Sequence, residues 1–280
     1  MLTLLLGTSG SGKSRRMLAE LRARAERGEY SLLIVPEQFT SSTEGLLYRT
    51  LGDSLSAYVE SYSFTSLAET ILRRYGGAAV QTLDEAGRAL LVRRAVDSLL
   101  DKVVYYSRQR KSAAFCEKAA QTIGELKSAG ITPDTLASYA AAPGMDKEKL
   151  DELALIYGAY ESLLGQSVMD PTDRQQLAAQ RLQPEFFAGR AVYVDEFDTF
   201  NAPKRALLAA MLPAADVTVC LCCDGEADPD HGLGLFSGAK KVAATLRRMA
   251  GDAAVPVHTE VLRDDLRHAD APALTELNLL

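Results

Sequence analysis

"LLLGTSGSGKSRR", residues 4–16, decides how this chain is read. Three leucines run into Gly7, four residues follow, and Gly12, Lys13 and Ser14 close the stretch. That spacing is the one used to cradle phosphate between a buried strand and a helix. Glycines at 7, 10 and 12 let the backbone turn several N–H groups inward. The helix that follows adds the positive end of its dipole. On this reading Gly7, Thr8, Ser9, Gly10, Ser11, Gly12, Lys13 and Ser14 hold the phosphates of ATP. Lys13 reaches the β- and γ-phosphates, and the Ser14 hydroxyl holds Mg²⁺. The competing reading of the same residues is a glycine-rich turn that binds nothing.

Outward from this loop, strands and helices alternate. Residues 2–6 read as a buried strand and 12–27 as a helix. "SLLIVP" (31–36) is a strand stopped by Pro36, followed by a helix near 42–51. "SAYVESY" (56–62) is a short strand, and 64–75 a helix. The alternation predicts a parallel sheet covered on both faces. From 76 to 183 no strand is evident. Leu91, Ala95 and Leu99 recur at helical spacing, as do Phe115, Ala119, Thr122 and Leu126, and then Leu150, Leu153, Tyr157, Tyr160 and Leu164. Pro133, "APG" (142–144) and "MDP" (169–171) separate these helices. Strands return with "RAVYVDEF" (190–197), "DVTVCLCC" (216–223) and "VPVHTE" (255–260), with helices at 201–212 and 237–250. The tail "DAPALTELNLL" carries no clear element, and no repeat or low-complexity tract stands out. The expected architecture is an α/β domain in two parts, 1–76 and 186–280, interrupted by an all-helical insertion at 77–185.

A phosphate loop needs an acidic partner at a neighbouring strand end, and "VYVDEF" supplies one. Asp195 is the expected Mg²⁺ ligand, through water. Glu196 is the expected general base that polarises the attacking water. A charged strand cap is the alternative. Both half-sites fall at C-terminal strand ends, where open α/β sheets bind ligands.

Composition narrows the remaining classes. The chain has 280 residues, 47% of them hydrophobic and 24% charged, enough for one large or two modest domains. Mean hydropathy is -0.05 and the pI about 5.3. With a net charge of -6 there is no global basic field, so any DNA contact must rely on a local groove. The four cysteines are Cys116, Cys220, Cys222 and Cys223. Their crowding fits a reduced cytosolic protein better than a disulfide framework. Cys220 and Cys222 share one face of a strand and read as small buried hydrophobes; His231 is an isolated metal-ligand candidate. The first residues show no basic n-region and no small-residue cleavage site, and no apolar run reaches about 18 residues. The expected location is the cytoplasm.

The order of motifs resembles superfamily 1 helicases of the UvrD/Rep type over nearly the whole chain. After the phosphate loop, "IVPEQFTSSTEGLL" (34–47) is similar to a strand-end loop that touches single-stranded DNA. "ESYSFTSLAETILRRYG" (60–76) resembles the "TFHSLA" helix start, and "QTLDEAGRALLVRRAV" (81–96) the opening of the helical insertion. "MDPTDRQQLAAQRL" (169–182) occupies the place of the helix before the Mg²⁺ motif, which "VYVDEFDTFNAPKRALLAAML" (192–212) resembles. "VPEQFT" and "SYSFTSLA" resemble more closely the B-subunit family of the AddAB helicase–nuclease (AddB/RexB). The resemblance implies a RecA-like P-loop domain with its helical insertion. It also implies an A-type helicase–nuclease subunit as heterodimer partner in double-strand-break processing, and single-stranded DNA as ligand. Motor activity would be degenerate. The family's nuclease domain and iron–sulfur cluster lie in a C-terminal part, so no cluster is expected of these residues, which read as an N-terminal fragment.

Departures from an active motor agree with that branch. The chain begins at the phosphate-loop strand, leaving no room for an upstream glutamine motif. After 216–223 the sequence "CCDGEADPDHGLG" lacks the glutamine that couples γ-phosphate to DNA. A second RecA-like domain with its arginine fingers is also missing. Asp195-Glu196 cuts the other way, because it keeps an acidic pair where that family often carries Asp-Gly. An active superfamily 1 translocase is therefore one alternative function, and a stand-alone P-loop kinase or switch another.

The expected strand contacts are Gln38, Phe39 and Thr40 after the second strand, and Phe64, Thr65 and Ser66 at a helix start. Phe39 and Phe64 are the stacking candidates. The alternative is that Ser63 or Thr65 merely caps the helix while Phe64 packs beneath it. Phe197 and Phe200 read as core. The basic clusters "RRYG" (73–76) and "SRQRK" (107–111) read as solvated faces, the second with a possible phosphate contact.

Overall fold

The apolar run after Met1 becomes β1 (Leu2–Gly7), and the loop behind it opens α1 (Lys13–Glu26). In chain order there follow β2 (Tyr30–Ile34), α2 (Thr40–Ser56), β3 (Val59–Tyr62), α3 (Phe64–Tyr75), β4 (Gln81–Thr82) and α4 (Glu85–Ser98). Next come α5 (Ala113–Ala129), α6 (Pro133–Ala140), α7 (Lys147–Leu164), β5 (Val168–Met169) and α8 (Pro171–Arg181). β6 (Arg190–Val194), α9 (Ala202–Met211), β7 (Asp216–Cys222), α10 (Ser237–Asp252) and β8 (Val257–Leu262) complete the series. The computed structural model describes residues 1–99, 102–109, 112–164, 168–225, 234–264 and 266. His231, much of "CCDGEADPDHGLG", the end of "SRQRK" and the tail lie outside the described residues.

Two compact units divide the chain. One joins Met1–Tyr75, Ala179–Phe200 and Arg205–Leu280; the other joins Gly76–Ala178 and Asn201–Lys204. The first is built on a six-stranded sheet in the order β3-β2-β6-β7-β1-β8, parallel throughout. Helices cover both faces, so the strands are continuous apolar runs rather than alternating ones. Leu2, Leu4, Leu6, Leu32, Ile34, Val192, Val194 and Val219 are fully buried. Met17 and Leu21 of α1 and Leu47 and Leu51 of α2 pack on one face, against Leu5, Leu33, Tyr193 and Cys220. The chain leaves β1 for β2 past the places of β7 and β6. Such a change of direction leaves a crevice at the C-terminal edge, with the ends of β1 and β6 on either side of β7.

Three boundaries shift from expectation. α2 runs on to Ser56, bending where Gly52 takes φ 79°, ψ 174°. Tyr58 N–H closes its last turn by donating to Leu55 O (3.1 Å), so only Val59–Tyr62 of the expected 56–62 pair as a strand. β8 sits two residues later than expected, with Val257 opposite Leu2 and Leu262 opposite Gly7.

The second unit corrects the expected all-helical insertion. β4 and β5 form a parallel two-stranded pair, Gln81 opposite Val168 and Thr82 opposite Met169. Two residues are too few to register as a period-2 pattern. Val92, Val96, Ile123, Ile156, Tyr157 and Tyr160, from α4, α5 and α7, form its core. A charged cluster lies inside it. Asp170, fully buried, accepts from Tyr160 Oη (2.7 Å) and Thr172 N (2.8 Å). Arg88 Nε lies 3.3 Å from Asp170 Oδ2, off line for a hydrogen bond, while Arg88 Nη2 donates to Ala120 O (3.2 Å). Burial pushes the Asp170 carboxyl up, but Tyr160, Thr172 and Arg88 together outweigh it and hold it below its ordinary value. Arg88 crosses α5 at Gly124, where a Cβ would collide with its guanidinium.

Candidate functional site

The glycine-rich turn leaves β1 at Gly7 and enters α1 at Gly12. Gly10 and Gly12 take φ 89° and 92°, a left-handed backbone that side chains resist. Gly12 is also crowded: a Cβ there would fall 2.8 Å from Leu266 Cδ1, while Leu266 N–H donates to Gly10 O (3.0 Å). Gly7 is close-packed against the Ser11 side chain, whose hydroxyl is buried without a partner among the described residues. α1 then starts with no side-chain cap and no acidic residue in its first turn. Its leading N–H groups and dipole are thus not neutralised by the chain, the condition for receiving an anion.

Lys13 and Ser14 occupy that first turn. Lys13 Nζ donates to Gly7 O (2.7 Å) and Thr8 O (2.8 Å), which holds the ammonium across the mouth of the turn. Ser14 Oγ donates to Asp195 Oδ2 at 3.4 Å, 181 residues away. Asp195 reaches this position because it directly follows β6, where its N–H donates to Ile34 O (3.0 Å). Its carboxylate also accepts from Glu196 N (2.9 Å). Burial raises the Asp195 carboxyl above its ordinary value, and the Glu196 N–H, Lys13 and Ser14 only partly offset this. Burial and the neighbouring Asp195 charge raise Glu196 as well. Glu196 has φ 64°, a left-handed backbone unusual for a residue with a side chain.

These residues face one cavity of about 810 Å³. Lys13, Ser14, Asp195 and Glu196 line it together, with Arg15, Cys220 and Cys222 among its other walls. Ser9, Gly10 and Gly12 line it too, whereas Gly7, Thr8 and Ser11 lie behind them. Among the described residues no three His, Cys, Asp or Glu side chains gather as a metal-binding group. One carboxylate and one hydroxyl still suit Mg²⁺, which keeps several waters and shares phosphate oxygens.

The expected strand contacts separate into two places. Gln38 and Phe39 lie on the wall of the same cavity, and Phe39 is 40% exposed. Thr40 opens α2 beside them. Phe64 is buried at 2% exposure, its ring 5.2 Å from Phe197 and 6.1 Å from Phe200. It packs beneath α3 and offers no face to a base. Ser63 and Ser66 form a reciprocal cap: Ser66 N donates to Ser63 Oγ (3.0 Å), and Ser63 N to Ser66 Oγ (2.9 Å). The packing alternative therefore describes this helix start; Thr65 and Ser66 remain exposed on it. The aromatic triad braces the segment that carries Asp195 and Glu196 against α3.

Sequence reasoning missed Gln38 and Phe39 as cavity residues. The signal was available: Pro36 ends β2, and β2 neighbours the strand carrying Asp195. Sequence reasoning read Cys220 and Cys222 as small buried hydrophobes; Cys220 is indeed buried in the core, Cys222 is exposed, and their shared face borders the cavity once β7 lies between β1 and β6. No helix among the described residues is long and apolar enough to cross a membrane.

Comparison with known proteins is consistent along the chain. The family model for the AddB N-terminal region matches residues 4–278. A Moorella thermoacetica protein, named as the B subunit of an ATP-dependent helicase/deoxyribonuclease, is 33% identical over 298 residues, covering 99% of this chain and 25% of the relative. Its namesake from Desulforamulus reducens is 32% identical over 262 residues, 89% and 23% of the two chains. The Bacillus anthracis namesake is 28% identical over 294 residues, 99% and 25%. The chain spans about a quarter of the length of these relatives. With a family model covering nearly all of it and a relative 33% identical over 99% of it, this chain belongs to the AddB family, as its N-terminal region.

Proposed function

We propose that this chain is the ATP-binding, strand-guiding region of the B subunit of a cytoplasmic helicase–deoxyribonuclease, folded as a RecA-like P-loop domain with an inserted subdomain. The observation that carries the reading is the convergence of Lys13, Ser14, Asp195 and Glu196 on one cavity at an uncapped helix start. The inward turn at Gly10 and Gly12 fits a polyphosphate. Ser14 and Asp195 would hold Mg²⁺. When bound, Mg²⁺·ATP supplies a phosphoryl group that can be transferred to water. Lys13 exchanges its two carbonyl partners for phosphate oxygens. Glu196 accepts the proton of the attacking water, and its raised carboxyl brings it nearer the basicity that role needs. Thr40 and the exposed start of α3 offer hydroxyls and N–H groups to a single strand. The enzyme activity belongs to the complex with an A-type subunit, and this region alone is at most a weak ATPase.

Calorimetric titration with Mg²⁺·ATP tests the reading. The chain should bind, and Lys13→Ala should weaken binding by about ten-fold or more. Equal heats from both proteins would refute it. The retained acidic pair favours one second reading, an active translocase. Steady-state ATPase of the full heterodimer, with the A-subunit site disabled, separates the two: DNA-stimulated turnover of tens per second rules for the motor.

A further inference from the structure

Among the described residues the cavity has one side-chain amide on its wall, and it comes from an element outside the glycine-rich turn and the acidic strand end. Gln38 sits in a single turn of 3-10 helix, Glu37–Phe39, between Pro36 and the first residue of α2. Hydrogen bonds hold this turn: Phe39 N donates to Pro36 O (2.9 Å), Thr40 N to Glu37 O, and Ser42 Oγ to Phe39 O (2.9 Å). Its position beside the acidic strand end follows from the sheet. β2 and β6 are adjacent, and the Asp195 N–H is bonded to Ile34 O, four residues before Gln38. The Gln38 side chain is exposed and makes no hydrogen bond among the described residues. It faces a space it shares with Lys13, Ser14, Asp195 and Glu196.

Beside the thiols of Cys220 and Cys222 and the apolar Phe39, Phe197 and Leu266, the other side chains around that space are charged or hydroxylic: Lys13 and Arg15, Asp195, Glu196 and Asp198, Ser9 and Ser14. A terminal phosphate placed near three carboxylates gains most from a donor that adds no further negative charge. A glutamine amide carries two N–H donors and one acceptor. It can donate to a phosphoryl oxygen while its carbonyl accepts from the water that attacks, the division of labour that a water-positioning glutamine performs in phosphoryl transfer. Because the turn carrying it runs directly into α2, the contact would also tie the start of that helix to the presence of the third phosphate.

We propose that Gln38 is the reader of the terminal phosphate, the residue that makes this cavity prefer a nucleoside triphosphate over a diphosphate. The inference rests on the nucleotide-binding reading above. It assigns Gln38 to the nucleotide instead of to the single strand.

The test is titration of the chain with ADP and with an ATP analogue whose β–γ bridge cannot be hydrolysed, both with Mg²⁺. Gln38→Ala and the near-isosteric Gln38→Met should each lose about ten-fold in affinity for the analogue, the value of one hydrogen bond to a charged group. ADP affinity should change less than about two-fold, because the diphosphate never meets the amide. Gln38→Glu should lose more than Gln38→Ala, since a carboxylate repels the phosphate. Thermal melts of the variants should match the parent, as expected of an exposed side chain. Equal losses for both nucleotides, unchanged ratios in all variants, or analogue affinity retained in Gln38→Glu would overturn the assignment while leaving nucleotide binding intact. Failure of the parent to bind either nucleotide would overturn the assignment together with the reading beneath it.

Discussion

Glu196→Gly should make the chain more stable and less active. Glu196 has φ 64°, and a left-handed backbone costs a residue with a side chain about 1–2 kcal/mol. Glycine takes this backbone without strain but loses more freedom on folding, about 0.5–1 kcal/mol. The difference favours the glycine variant by about 0.5–1 kcal/mol, or a rise of about 1–3 °C in Tm for a chain of this size. Exposed carboxylate repulsion is screened and adds little. Glu196→Ala keeps the strain and should gain nothing. Glu196→Gln keeps both strain and shape but cannot accept a proton. All three should reduce any ATPase turnover by about 10²-fold or more. Urea denaturation read by midpoint at constant slope measures the first effect, and phosphate release the second. A glycine variant no more stable than the alanine variant would refute the strain argument. Unchanged turnover in all three would refute the base assignment. Where the family carries Asp-Gly, as the resemblance implies, a glycine at this position would take such a backbone without strain. Strain retained for a side chain on a cavity wall supports the proposed role of Glu196.

Two further predictions concern buried charge. Asp195 is 7% exposed and its carboxyl is raised by burial, so the folded state binds its proton more tightly than the unfolded state. Stability from this group is full below the ordinary carboxylate range and is lost as pH rises through the raised value. Asp195→Asn should therefore raise Tm at pH 7, with the gain fading toward about pH 4, and should weaken nucleotide binding in the presence of Mg²⁺; a lower Tm at pH 7 counts against it. Gly124→Ala should destabilise by about 1–2 kcal/mol, although an interior helical glycine usually gains about 1 kcal/mol from that change, because the new methyl displaces Arg88 from Asp170 and Ala120. In an Arg88→Ala background the same substitution should stabilise by about 1 kcal/mol, and a double-mutant cycle in urea reads the difference.

What the sequence made legible, and what it did not, follows from the range of the interactions. Gly12-Lys13-Ser14 and Asp195-Glu196 are short strings whose meaning needs only a strand before each, and an apolar run of four or five residues announces a strand. The pairing of the two strings across 181 residues was inferred from the chemistry of a metal–phosphate site, and Ser14 Oγ within 3.4 Å of Asp195 Oδ2 agrees with it. Phe64 was ambiguous for a different reason. An aromatic residue at a helix start looks the same from its neighbours whether it faces solvent or core. Only Phe197 and Phe200, arriving from more than 130 residues away, decide that its ring is buried. Gln38 was read incompletely by the same logic in reverse. Its local string resembles a strand-contacting loop, but the cavity it faces is created by β6, inserted beside β2 after the chain has passed through the second unit. A crossover that puts later strands between earlier ones turns a loop judged by its neighbours into a wall of a site its neighbours do not contain. The residues whose cavity role is hardest to read locally follow β2 and end β7, and Gln38 and Cys222 are the ones this chain places there.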